Sequence, residues 1–562
     1  MIGGFFMNIQ IDQVPFSRFG SYFAVSKTQD GAVLLRDVHG GDEAPSTLFE
    51  MRFFNDQTEV EVKILCTESE LIFSSLENPK DMVKMILPTE HHGLFKAEGL
   101  TLGLFAKKVK YDTFHPLSED TYEYHIYPKE RKFLFTRREG VLQVDAPWEI
   151  IGNPHVHLFL SHGELLIESY VTVPGEGFSG TYAEGLQAVQ KSYASFKKEP
   201  KDLPEKYRPS FDLASYITWS SVAAPFGALK HPAMFMSKLY MYSIWSWDNC
   251  FNALALAKEH PELSYGQFEI FFDHQDPSGA YPDFVHDKYA SYNCIKPPIF
   301  PVFYEKCMKE NGYFSDPSRL EKAYESMKKN LDYYDTYRTL PGALPHYRHG
   351  NDSGWDNSSV FHEGMPVESP DLQAHLVRAC DAMARLSHVL NKEEEEQAYQ
   401  KKAEIHAKKT LERLYEEEEG FFARVGIQGN PVKNKESLLL SMSLLLSRHL
   451  PEPVLKKTVD RLLSFETPYG FATEHPKSPL YKYNGYWLGP IWAPVTFLLV
   501  DALYEAGYPE DADRIREKFL DLTLVGGMAE NFDPFTGEGL VDTSFTWTSS
   551  VCLLFLRGEG LF

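Results

Sequence analysis

The hydrophobic pattern of this 562-residue chain changes its period once, near residue 182. From Asn8 to about Thr172, apolar and polar positions alternate in short runs. Examples are E-V-E-V-K-I-L-C (59–66), E-L-I-F-S (70–74) and the run from Val156 to Leu160. Turn clusters such as Val38-His39-Gly40-Gly41 and Arg138-Glu139-Gly140 separate them. Many short runs of this kind, with no helix between them, predict an antiparallel β-sandwich over residues 1–180. Residues Tyr182–Lys198 switch to helical spacing, and the polar, Pro-bearing stretch Glu199–Pro209 reads as a linker. Residues 181–210 are therefore expected to connect two domains.

Beyond the linker the period is helical almost throughout. About twelve apolar-periodic segments start near Phe211, Trp247, Leu263, Pro298, Pro317, Asp371, Lys392, Lys435, Pro453, Ile491, Pro509 and Phe545. Ser315-Asp316-Pro317, Glu368-Ser369-Pro370-Asp371 and Tyr508-Pro509-Glu510-Asp511 carry start signals. Twelve helices in residues 211–562 allow roughly 30 residues for each helix and its loop, a spacing that suits hairpins packed side by side. The predicted fold is an N-terminal antiparallel β-sandwich followed by an all-α (α/α)6 toroid. With no sequence repeat visible, the toroid rests on helix count.

Charge narrows the partners. A formal net charge of −23 disfavours nucleic acid and anionic membrane surfaces and is compatible with a small neutral carbohydrate. Aromatic residues reach 14%; most fill cores, but such rings also stack on sugar faces. The six cysteines form no C-x-x-C pair and no zinc-ligand cluster, so they are expected to be reduced and mostly buried. The amino terminus lacks the basic and apolar regions of a secretory leader, and no apolar run reaches the roughly 18 residues that span a bilayer. A cytoplasmic location is the expectation.

Candidate chemistry sits in four loops. In I-W-S-W-D-N-C-F-N (244–252), Trp245 and Trp247 could form a sugar platform while Asp248 accepts from sugar hydroxyls. The plain alternative is a helix cap with two core indoles. In Y-N-C-I-K-P-P-I-F (292–300), Lys296 could face a pocket or solvent. In H-G-N-D-S-G-W-D-N-S-S-V-F (349–361), Gly354 permits a sharp turn, and a carboxyl beside an indole loses solvation and keeps its proton, as a general acid must. The alternative is an Asx-rich turn. In G-G-M-A-E-N-F-D-P-F-T-G-E-G (526–539), nothing local perturbs Glu530, and an exposed loop glutamate is the plain reading.

Together these loops resemble the clan that joins glycoside hydrolase families 37 and 63. The matching text is W-S-W-D (245–248), K-P-P (296–298), S-G-W-D-N-S (353–358), Y-W-L-G-P-I-W (486–492) and E-N-F-D-P-x-T-G (530–537), in order across about 320 residues. The resemblance implies an (α/α)6 barrel behind a β-rich domain and hydrolysis with inversion. It implies Asp356 as general acid and Glu530 as general base. It places Trp245, Trp247 and Asp248 at the subsite of the cleaved sugar, with Trp355, Asn357, Tyr486, Trp487 and Trp492 as pocket walls. Two positions depart from the family: Leu488 stands where Arg is common, and Lys296 where Gln is common. Both bear on substrate recognition.

The expected activity is an inverting, exo-acting α-glycoside hydrolase. α-Glucosides come first, then α-mannosides or a glycosyl-glycerate, with Lys296, His475 and Lys477 as candidates to hold an acidic aglycone. A six-hairpin phosphorylase would need a basic phosphate pocket, and no Arg or Lys cluster flanks Glu530. A sugar epimerase would use paired histidines, for which His346, His349 and His362 are available. A non-catalytic carbohydrate-binding protein would tolerate loss of either carboxyl. No H-E-x-x-H, EF-hand or Gly-rich phosphate loop is present, so neither a metal nor a cofactor is expected.

Overall fold

A computed structural model describes residues 8–42, 45–106 and 111–561. The first seven residues, part of the stretch read above for a leader, lie outside the described residues.

The N-terminal region consists of two antiparallel sheets. One orders its strands Phe23–Lys27, Val33–Asp37, Thr47–Asn55, Thr101–Ala106, His157–Ser161 and Val141–Asp145, with Thr58–Glu59 hairpinned onto the third. The other runs Thr113–Pro116, Thr121–Ile126, Arg131–Arg137, Gly163–Tyr170, His92–Glu98, Met82–Thr89, Leu71–Ser75 and Val62–Cys66. Alternation buries one face of strands such as Thr47–Asn55, Leu71–Ser75 and Arg131–Arg137, while Gly163–Tyr170 is buried throughout, and the inner faces meet as two layers. Phe53 of the first sheet stacks on Phe73 of the second at 4.5 Å, and Phe49 meets Phe135 edge-on at 5.6 Å.

The predicted connecting helix is α1, Tyr182–Phe196. Thr181 caps it, accepting from Glu184 N while the Glu184 carboxylate accepts from Thr181 N, so two end donors are satisfied reciprocally. Helices α2 (Arg208–Ser220), α3 (Asp248–Ala257), α4 (Pro261–Asp273), α5 (Phe300–Glu310) and α6 (Pro317–Tyr337) follow. Next come α7 (Pro370–Val389), α8 (Glu393–Leu414), a helix at Leu438–His449, α9 (Glu452–Leu463), α10 (Ala493–Glu505), α11 (Pro509–Gly526) and α12 (Thr546–Arg557). Every predicted helical segment has a counterpart, within a few residues. The one expected from Lys435 is a 3₁₀ helix starting at Leu438. Its run L-L-L-S-M-S-L-L-L-S is buried on all sides, so hydrophobic periodicity carries no information about its winding.

The neighbours of these helices close on themselves. Helix α12 packs on α3, α3 on α5, α5 on α7, α7 on the 3₁₀ helix, the 3₁₀ helix on α10, and α10 on α12. Helices α2, α4, α8, α9 and α11 lie against α12, α3, α7, the 3₁₀ helix and α10 respectively. The sheets reach this region through buried polar contacts. Tyr22 donates to Ala224 O at 3.0 Å, and the Lys238 ammonium, 1% exposed, donates to Ser21 O at 2.5 Å and Val222 O at 3.1 Å. All six cysteines are free and buried. Among the described residues no helix is long and apolar enough to cross a membrane.

Candidate active site

The four loops converge. Trp245 ends the short strand Ile244–Trp245, which pairs with Phe284–Val285 of the hairpin that also holds Ala290–Ser291. Asp248 is the first residue of α3, yet no side chain caps that helix. The carboxyl is instead buried, which raises its pKa well above the usual carboxylate range. Lys296, solvated or pocket-facing on sequence alone, is buried. Its ammonium donates to Asp283 Oδ1 at 2.6 Å and to Asn351 O at 2.8 Å, and the Asp356 and Asp248 carboxylates add to its field.

The turn before Asp356 is built by Gly354, whose φ of +76° lies in the left-handed region. A Cβ there would sit 2.6 Å from the Trp247 indole, so the chain runs directly over that ring. Beneath the loop, Asp352 accepts from Arg338 at 2.8 Å and from the backbone of Ile295 at 3.1 Å, which ties this loop to the Lys296 loop. Asn357 joins it to the next: its amide donates to Gly485 O at 3.0 Å and accepts from Trp487 N at 2.9 Å. The indoles of Trp487 and Trp492 stack at 3.8 Å, with Trp355 on Trp487 at 4.8 Å. Trp247, Trp355, Trp487 and Trp492 are all buried, whereas Trp245 and Tyr486 keep accessible surface. The packed indoles therefore act as the backing of the loops.

Glu530 is 2% exposed. Its amide donates to Asp542 O at 2.7 Å, its carbonyl accepts from the Trp547 indole at 3.2 Å, and its Oε1 accepts from the Tyr486 hydroxyl at 3.0 Å. Its Oε2 is buried without a hydrogen-bond partner. Burial pushes the carboxyl up to about 8, helped by the charges of Asp542 and Asp356 and opposed by the Tyr486 hydroxyl. The plain alternative of an exposed loop glutamate is corrected here: Glu530 is buried, and the groups that perturb it come from other parts of the chain. Asp356 is also raised, by burial, with Lys296 opposing and Asp283 adding. Asp356, 174 positions away in sequence, thus acts on Glu530, and both act on Tyr486.

Sequence reasoning did not single out Asp283 or Asp542. Asp542 is 1% exposed and accepts from Ser237 Oγ, Tyr240 N and Ser544 N at 2.9–3.2 Å. It lies outside every motif. Its only local signal is an isolated acid in the loop before an apolar helix. His475, read as a candidate for an acidic aglycone, packs on Phe465 at 5.3 Å and faces Glu436 at 3.8 Å.

Two acidic side chains raised by burial, on loops at one end of a helical domain, are the equipment of a glycosidase. Residues 240–548, more than half of the chain, match the family described as the mannosylglycerate hydrolase MGH1-like glycoside hydrolase domain. The chain belongs to that family and is a glycosidase of the six-hairpin, family 63 type. It is 22% identical over 408 residues to a mannosylglycerate hydrolase of Rubrobacter radiotolerans, an overlap of 56% of this chain and 91% of that protein. A glucosylglycerate hydrolase of Mycolicibacterium hassiacum is 33% identical over 78 residues, 14% of this chain and 18% of that one. Among solved structures, the family 63 mannosylglycerate hydrolase of Thermus thermophilus in complex with glucose aligns with a TM-score of 0.53 and 19% identity. It covers 61% of this chain and 99% of its own. A bacterial glucoamylase complexed with acarbose aligns over 100% of this chain and 96% of its own, with a TM-score of 0.63 and 11% identity. At such identities these two likenesses concern the fold.

Proposed function

We propose that this chain is an inverting, exo-acting α-glycoside hydrolase in which Asp356 is the general acid and Glu530 the general base. The closed succession of six helices is then the inner wall of an (α/α)6 toroid. Residues 211–562 form that catalytic domain, 1–180 the sandwich and 181–210 the connection. The substrate is a small α-glucoside or α-mannoside. The relatives' names support testing an α-glycosyl glycerate first, ahead of simple α-glucosides. The reaction takes place in the cytoplasm and requires no cofactor.

The observation that carries this reading is the buried Glu530 carboxyl, held at one oxygen by the Tyr486 hydroxyl at 3.0 Å, unpartnered at the other, and in the field of Asp356. Inversion needs two carboxyls roughly 6.5–9.5 Å apart with a water between one of them and the anomeric carbon. Burial raises the Asp356 pKa and so favours its protonated form, which delivers its proton to the leaving oxygen. Glu530 Oε2 is the free acceptor to which the water gives its proton. Glu530 by itself retains a proton up to about pH 8. A water donating to Oε2 stabilises the carboxylate and lowers that value toward the working range. Trp245 and Tyr486 contribute the accessible aromatic surface against the sugar, Asp248 and Asn357 its hydroxyl contacts, and Lys296 the charge that holds the acidic loops together. The buried indoles of Trp247, Trp355, Trp487 and Trp492 wall the pocket from behind.

The raised carboxyl of Glu530 supports one second reading, in which the two roles are exchanged. An α-glycosyl fluoride separates them, because fluoride leaves without protonation. Under the proposal Asp356→Asn retains turnover of the fluoride and loses that of the glycoside, while Glu530→Gln loses both. Each loss on the glycoside should be about 10²- to 10⁴-fold. A β-anomer released from an α-glycoside, followed by NMR, tests inversion. A retained anomer, or fluoride turnover surviving in Glu530→Gln instead, overturns the assignment.

A further inference from the structure

We propose that Asp145, His155 and His157 form a binding site for a borderline divalent transition metal, with zinc the best fit, on the N-terminal sandwich. The placement follows from strand geometry. His155 lies two residues before His157, the first residue of the strand His157–Ser161, and the stacking of the two rings puts their side chains on the same face. Asp145 is the cross-strand partner of His157, at the end of the adjacent strand Val141–Asp145. An H-x-H pair opposite a carboxylate therefore presents two nitrogens and one oxygen to a single point. One potential ligand atom from each of the three residues lies within 4.8 Å of the other two.

The distances suit an ion better than they suit the ligands alone. Zinc binds His nitrogen and carboxylate oxygen at about 2.0–2.2 Å in tetrahedral array, which sets neighbouring donors about 3.4 Å apart. Asp145 Oδ2 is 2.9 Å from His155 Nε2 and 3.8 Å from His157 Nδ1, values on either side of that separation. Yet His155 Nε2, shielded from solvent, makes no hydrogen bond despite its short approach to the carboxylate. Donor and acceptor are close without being aimed at each other, as ligands converging on a third centre are. The rings stack at 4.5 Å with 29° between their planes, so the two imidazoles stand side by side.

Arg52 opposes a cation at this site, but its guanidinium is paired with Glu50 at 2.7 Å and Glu59 at 3.8 Å. Two imidazoles and one carboxylate favour zinc, nickel, cobalt or copper over magnesium and calcium, which prefer oxygen alone. The bound ion would tie the strand ends across the loop 146–156, where Trp148, Ile150 and Ile151 are exposed. This revises the expectation that the chain uses no metal: the spacing of Asp145 from the H-x-H pair fits no standard ligand motif.

The full chain, stripped with chelator, should take up one equivalent of zinc by titration calorimetry. Cobalt as the sole metal should produce visible d–d bands of a nitrogen–oxygen site. His155→Ala and His157→Ala should each weaken binding at least tenfold and remove the bands, and Asp145→Asn should weaken it about tenfold or more. Melting in chelator, unchanged among the variants, separates lost ligation from lost folding. The site is refuted if wild type binds no zinc at millimolar concentration, or if the double variant His155→Ala/His157→Ala binds as wild type does. A thiolate–cobalt charge-transfer band would place the metal on cysteines and equally refute it.

Discussion

Tyr486 donates its phenolic hydrogen to Glu530 Oε1 at 3.0 Å while standing in the field of Asp356 as well. One hydroxyl thus touches one carboxyl of the proposed pair and senses the other. It stabilises the charged form of Glu530, the form a base must reach. Removing it with Tyr486→Phe should raise the Glu530 pKa further and move the acidic limb of the kcat/KM profile to higher pH. A hydrogen bond to a charged group contributes about 1.5–3 kcal/mol, so kcat/KM near neutrality should fall roughly ten- to a hundredfold. A profile that keeps its limb and loses only amplitude would assign Tyr486 to sugar contact.

Asp542 acts in the opposite direction. Its buried carboxyl, held up to about 6, is largely charged at neutral pH and repels charge on Glu530. Asp542→Asn should lower the Glu530 pKa and move the same limb to lower pH. The amide cannot satisfy all three donors that Asp542 accepts from, so a stability loss of about 1–3 kcal/mol is expected from the group left unpaired. Opposite shifts in Tyr486→Phe and Asp542→Asn, measured on one substrate, identify the limb as that of Glu530. Shifts of the same sign would mean the limb belongs to another group.

How far the sequence foretold this site depends on which interaction placed each residue. The strand and helix periods foresaw both sheets and all the helical segments, because burial of one face imposes those periods directly. Where burial is complete the period vanishes, and the 3₁₀ winding of Leu438–His449 was not legible. Asp356 was legible because Trp355 and Gly354 stand beside it in the chain. The environment of Glu530 was not, since Tyr486, Asp356 and Asp542 reach it only through folding. Lys296 was visible as a departure from a motif, but its partner Asp283 belongs to another loop and carries no motif of its own. The cap reading of Asp248 followed local statistics, which burial among other charges overrode.

Gly354 makes a conformational prediction. With φ at +76° and the Trp247 ring 2.6 Å from a built Cβ, Gly354→Ala meets both a backbone cost and a clash. The backbone term alone exceeds about 1 kcal/mol where alanine must take positive φ. The loop can relieve the clash only by moving off the Trp247 ring, and Asp356, two positions on, moves with it. Thermal melting should therefore show a loss of stability, and kcat should drop by more than tenfold, since proton donation is sensitive to displacements of about 1 Å. A variant that melts lower with unchanged kcat would separate the turn from the position of the acid.

The sandwich holds the hairpin that carries Asp283 at its base. The backbone amide of Gly40 donates to both oxygens of Asp287, at 2.8 and 3.0 Å, and Asp287 is 2% exposed. Asp287→Ala should cost about 1.5–3 kcal/mol of stability, the range for hydrogen bonds to a charged group. The hairpin also pairs with the strand of Trp245, so KM should rise more than kcat falls. Equal kinetics in the variant would confine the role of this contact to stability.

Lys296 and Asp283 set a test of charge balance inside the site. The 2.6 Å pair is buried, with side-chain exposures of 6% and 8%. Lys296→Gln leaves Asp283 without its cation among neighbouring carboxylates, and breaking a buried pair costs about 3–5 kcal/mol. It also removes the charge that holds the Asp356 pKa down. The acid then keeps its proton to higher pH, and the alkaline limb of the kcat/KM profile moves up. Asp283→Asn acts in the reverse sense, because the Asp283 charge raises Asp356. The double variant Lys296→Gln/Asp283→Asn should recover part of the stability and return the limb toward its wild-type position. Additive losses in the double variant would mean that the two residues act independently, and an unmoved alkaline limb in Lys296→Gln would remove Asp356 from the role of acid.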